Sequence, residues 1–78
     1  MKAVNELRLH HRRGGRGPAF MAAPDRVDQL EIIEIASGEI VLFWDLAPRD
    51  AARRARVMTE DLQTLETIDF LAKWSGDL

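Results

Sequence analysis

The order of apolar and polar positions divides the chain near residue 25. Beyond that point lie Leu30-Glu31-Ile32-Ile33-Glu34-Ile35, then Ala36-Ser37-Gly38-Glu39, then Ile40-Val41-Leu42-Phe43-Trp44-Asp45. Two β-branched, aromatic-rich runs around a Ser-Gly pair predict a β-hairpin. Pairing Ile35 with Ile40 sets Ile33 against Leu42 and Glu31 against Trp44. One face then carries Ile33, Ile35, Ile40, Leu42 and Trp44. The other carries Leu30, Ile32, Val41 and Phe43 with acids between them, too apolar to be left to water. A one-residue slip would mix the faces and bury glutamates, which selects this register.

Pro48 suits the first position of a helix, where its missing N–H would be unpaired in any case, and Asp50 favours the positive end of the helix dipole. Ala51, Ala55, Met58, Leu62 and Leu65 recur at helical spacing and form one stripe. Nothing breaks the pattern before Trp74, and Ser75-Gly76 supplies a stop. After Leu65 the stripe dissolves. The heptad lands on Asp69, while Ile68, Phe70, Leu71, Ala72 and Trp74 surround the last turns with apolar atoms. A helix of about 27 residues spans roughly 40 Å, against some 20 to 23 Å for a strand of six or seven residues. One hairpin cannot cover it. Either the helix breaks near Thr67 or its C-terminal half packs on something else.

The first 24 residues sustain no period, contain Gly14, Gly15, Gly17, Pro18 and Pro24, and hold Val4 as their one β-branched residue. They read as a flexible arm; a helix over Lys2 to Leu9 would be too short to stand alone. Met21-Ala22-Ala23-Pro24 is a second possible start, leaving open whether residues 1–20 belong to the working protein. The predicted fold is therefore α+β, a ββα unit over 25–78 made of a hairpin and one long, possibly broken, helix, preceded by a flexible arm over 1–24.

Charge sharpens this division. Of 78 residues, 46% are hydrophobic and 31% charged, with 11 Lys plus Arg against 13 Asp plus Glu, a net of −2. The arm holds Lys2, Arg8, Arg12, Arg13 and Arg16 against Glu6, so it is basic and the remainder strongly acidic. Bulk charge argues against a general nucleic-acid binder. Absence of cysteine excludes disulfides, thiolate metal sites and a cysteine nucleophile. No apolar run approaches the roughly 20 residues of a membrane span, and Arg12-Arg13 lacks the apolar segment an export signal needs. A soluble, cytoplasmic protein is expected, and nine arginines to two lysines suggest a GC-rich bacterial source.

The candidate chemistry is sparse. Arg12-Arg13-Gly14-Gly15-Arg16-Gly17 resembles segments by which disordered arms contact RNA, although a solvated tail is the plainer reading. A third reading has the arm lying on the acidic body of its own or a neighbouring subunit. Arg49, Arg53 and Arg56 share a helix face that would suit phosphates or pair with acids such as Glu34, Glu39 and Glu60. His10-His11 has no ligand-spaced partner, and residues 25–78 contain no histidine for a triad or a metal. Glu66 and Asp69 alone make a very weak site. No enzyme activity, cofactor or metal is expected. Short length and the helix–hairpin mismatch favour a homodimer, with Ile32, Val41, Phe43, Trp44, Ile68, Phe70, Leu71 and Trp74 as candidate dimer or partner contacts. The expected function is that of a small interaction or structural module. The alternative is a nucleic-acid accessory or regulatory protein using Arg12, Arg13, Arg16, Arg49, Arg53 and Arg56.

Overall fold

The computed structural model describes residues 1–14 and 27–76. A 3-10 turn, Ala3–Asn5, leads into β1 (Leu7–Arg12); β2 (Asp28–Glu34), β3 (Ile40–Leu46), α1 (Pro48–Thr64) and α2 (Thr67–Ser75) follow. The three strands form one antiparallel sheet in the order β1-β2-β3. The fold is α+β as expected, but the described residues form three strands and two helices in place of a hairpin and one long or broken helix.

The strand content of the N-terminal segment overturns the flexible arm across Leu7–Arg12. β1 alternates: Leu7 and Leu9 point to the core side, Arg8, His10 and Arg12 to the other. Charged residues obscure the alternation in sequence, and its partner in the sheet lies beyond a long connection. Arg16 and the Met21 restart fall outside the described residues. Ala3 and Leu7, however, are both in the core, so the start of the chain is built into the fold.

β2 and β3 lie where the apolar runs place them, joined by a turn in which Gly38 takes φ +76°, the left-handed conformation that glycine adopts without strain. Glu34 N–H donates to Glu39 O at 2.8 Å, and Ser37 Oγ donates to Glu34 Oε1 at 2.7 Å. The register differs from the expected one by the very slip argued against: Leu30 pairs Trp44, Glu31 pairs Phe43 and Ile32 pairs Leu42, with a shift between Ile32 and Ile33 that pairs Ile33 with Ile40. Leu30, Ile32, Leu42 and Trp44 thus share the buried side, and Glu31 is buried as well. The slip is tolerable because β1 supplies polar partners for that glutamate.

α1 begins at Pro48 as predicted, and its stripe faces the sheet, with Ala51, Met58 and Leu62 buried and Ala55 and Leu65 packed against the core. The helix breaks at Leu65 and Glu66, both extended. There the N-terminal segment replaces helical hydrogen bonds: Ala3 N–H donates to Leu65 O (2.9 Å) and Thr67 N–H to Met1 O (3.1 Å). α2 then places Phe70 and Trp74 in the core, Phe70 with no exposed surface. Burying such a side chain is worth about 1.5–3 kcal/mol. The helix is therefore matched to the short sheet by breaking, and the mismatch no longer requires a second copy. Gly76 ends α2 with φ −69°, not in the left-handed cap the sequence suggested.

Candidate interaction surfaces

The sheet has one side covered by the helices and another, called the open side below, that no described element covers. The core packs Leu7, Leu30, Ile32, Leu42 and Trp44 beneath the helices. No described element packs on the opposite side, which carries Arg8, His10 and Arg12 on β1, Gln29, Glu31 and Ile33 on β2, and Phe43 and Asp45 on β3. Glu31 lies at the centre of this open side yet is only 4% exposed. His10 Nδ1 donates to its Oε1 at 3.1 Å, and Arg12 Nη2 lies 3.9 Å from the same oxygen. On the covered side His11 Nε2 donates to Asp28 Oδ2 at 3.0 Å, and Gly14 N–H donates to Asp28 Oδ1 at 2.9 Å. The adjacent histidines do point apart, but each finds a buried carboxylate on β2. Sequence spacing missed these pairs because the partners lie 17 and 21 residues away; the available signal was the period-two alternation of Leu7 to Arg12.

These pairs change the chemical inventory without assembling a reaction centre. An Asp–His pair can orient a base, but the Ser37, Thr59, Thr64 and Thr67 hydroxyls are all bonded to other groups. Among the described residues no three His, Cys, Asp or Glu side chains are grouped to hold a metal ion. The visible role of both pairs is to hold β1 on β2. Glu66 is occupied separately: it accepts a hydrogen bond from the Met1 ammonium, which holds its carboxyl below the ordinary range and the ammonium above its own.

The two tryptophans meet at the far end of α2. Their rings stand edge to face at 6.2 Å, and the Arg54 guanidinium lies 5.8 Å from the Trp44 ring and 5.6 Å from the Trp74 ring. Asp61 accepts from both Trp74 Nε1 (3.0 Å) and Lys73 Nζ (2.7 Å), joining α1 to α2. Of the expected contact residues, Ile32, Trp44, Phe70 and Trp74 are thus buried within one chain. Leu71 is half-buried; Val41, Phe43 and Ile68 are exposed.

The remaining apolar surface concentrates along β3 and the turn before it. Ile40 is 53% exposed, Val41 39% and Phe43 42%, with Ile35 beside them. β3 is also a sheet edge, and Asp45 is its one charged residue. A cleft of about 290 Å³ opens between this end of the sheet and α2, lined by Leu7, Ile35, Val41 and Leu71 with Glu6 and Glu34 among its polar neighbours.

The arginines do not form one surface. Arg12 and Arg13 are exposed at the end of β1, whereas Arg49, Arg53 and Arg56 are exposed on α1, opposite its sheet-facing stripe. The two groups lie on opposite layers. Arg49, Arg53 and Arg56 make no ion pair with another described residue, so neither Glu34, Glu39 nor Glu60 neutralises them. Among the described residues no helix is long and apolar enough to cross a membrane. Comparisons with protein-family models, curated proteins and solved structures find no match to the chain.

Proposed function

We propose that the protein is a non-enzymatic interaction module that works as a homodimer, with β3 of one copy pairing antiparallel to β3 of the other about a two-fold axis. The observation that carries this reading is the contrast between an exposed apolar edge at β3 and a charged edge at β1. Unpaired edges are templates for further strands, and proteins that must stay monomeric guard them with charge, proline or bulges. β1 carries Arg8 and Arg12; β3 has only Asp45 and the irregularity near Val41. Strand pairing about a two-fold would join the two sheets into six strands and bring the exposed Phe43 side chains together. Sedimentation equilibrium on the wild type and on Phe43→Lys tests it. A wild-type dimer and a folded monomeric variant are expected; a folded wild-type monomer at high concentration would refute it.

A second reading, nucleic-acid binding, draws on Arg8, Arg12 and His10 on the same face of the sheet as the exposed Phe43, a basic and aromatic combination that suits single strands. Its support is weaker because Arg49, Arg53 and Arg56 occupy the other layer and Glu31 and Asp45 share the open side. Titration with a labelled single strand at low salt separates the readings: binding that Arg8→Gln and Arg12→Gln abolish would favour the second.

A further inference from the structure

We propose that the cleft between α2 and the turn end of the sheet is a docking site for a peptide segment of another protein, one large aliphatic side chain flanked by Lys or Arg. The inference does not require pairing at β3, although Val41 and Ile35 border both surfaces. Leu7, Ile35, Val41 and Leu71 give the cleft apolar walls contributed by β1, the turn between β2 and β3, β3 and α2, and its volume of about 290 Å³ accommodates a large side chain. The two charged residues that line it are both acids. Glu6 and Glu34 line the cleft, and neither forms an ion pair with a described residue. Glu34 accepts the Ser37 hydroxyl, which orients its carboxylate without neutralising it. The Met1 ammonium, which feels Glu6 at longer range, is bonded to Glu66. An apolar slot between uncompensated carboxylates selects an apolar anchor with cationic neighbours: burial of the anchor provides affinity, and the charges provide orientation and rate.

A second copy fits the cleft poorly. Among this chain's exposed aliphatic side chains, Ile35, Ile40 and Ile68 each have an acid beside them in sequence, Glu34, Glu39 and Asp69. A two-fold contact at the cleft would set carboxylate against carboxylate. Val57, next to Arg56, has the right flank; reciprocal insertion of Val57 would make a closed dimer, one that Ala36→Trp would dissolve and Phe43→Lys would not.

Fluorescence anisotropy of the full chain with a labelled peptide, one central Leu between pairs of Lys, tests the proposal. Two control peptides replace the Leu by Ala and the Lys by Glu. Saturable binding to the first peptide is expected, with affinity at least about tenfold lower for the Ala peptide and for the Ala36→Trp protein, whose new ring fills the cleft from an exposed turn position. Glu34→Gln should weaken binding severalfold, and added salt should do the same. Equal binding of the Leu and Ala peptides would overturn the proposal, because charge alone would then suffice. Absence of binding, or undiminished binding to a folded Ala36→Trp protein, would also overturn it. So would self-association of the chain, as a dimer or larger, that Ala36→Trp dissolves, since a second copy would then occupy the cleft.

Discussion

The sheet has two edges built on opposite principles. β1 is polar at four of its six positions and is held to β2 by two histidine–carboxylate pairs as well as by the buried Leu7. β3 is apolar at six of seven positions, sends Leu42 and Trp44 into the core, and leaves Ile40, Val41 and Phe43 at the surface. β1 spends its polar groups on neighbours within the chain and presents charge outward. β3 keeps part of its apolar surface exposed. An edge that looks disordered in sequence is thus a structural strand, and the edge that looks most like a core strand leaves apolar side chains exposed.

The largest effect that would break this comparison is a truncation in β1. Leu7→Ala is expected to destabilise the fold by about 3 kcal/mol, within the range for emptying a buried leucine site, whereas Val41→Ala on β3 should cost under about 1 kcal/mol because the side chain is already exposed. Urea unfolding measures both. Equal, small costs would return β1 to the status of a detachable arm.

Next in size are the buried carboxylates. Asp28→Ala leaves His11 Nε2 and the Gly14 N–H without their acceptor, at an expected cost of about 2–3 kcal/mol. Glu31→Ala should cost about 1 kcal/mol, because its partner His10 is half exposed and can turn to water. The reverse ranking would show that the open side of the sheet is covered in solution.

The smallest effect concerns the tie between the chain start and the helix break. Bonding to Glu66 raises the Met1 ammonium above its ordinary value of 8.0, so that stabilisation is complete below 8.0 and is lost as pH rises through the raised value. The same contact lowers Glu66 below 4.5, so its share is complete above 4.5 and is lost as pH falls through the lowered value. Thermal melts across this range should show a shallow plateau between the two limits, slightly lowered throughout by acetylation of the N-terminus. A plateau height unaffected by acetylation would dismiss the contact.

Much of the fold was legible because periodicity reports burial directly. The β2 and β3 runs, the Pro48 start and the α1 stripe all follow from it. The hairpin register was not legible from two strands alone. Burying Glu31 looks costly until His10 and Arg12 are known to lie beside it, and that knowledge requires β1. Likewise the apolar ring from Phe70 to Trp74 suggested an interface, but breaking the helix at Leu65 and Glu66 turns it onto the chain's own Trp44. Of the candidate contact residues Val41, Phe43 and Ile68 are exposed; which apolar residues remain uncovered depends on tertiary packing and not on the sequence pattern.

The central claim, that β3 is an edge shaped for a second copy, is tested most directly by sedimentation equilibrium on the 8.9 kDa chain. The account predicts a species of twice that mass that Phe43→Lys converts to a folded monomer, with the far-ultraviolet spectrum of the variant unchanged apart from the lost inter-chain strand pairing. A wild-type chain that stays monomeric and folded at high concentration, or a dimer that Phe43→Lys leaves intact, would contradict it.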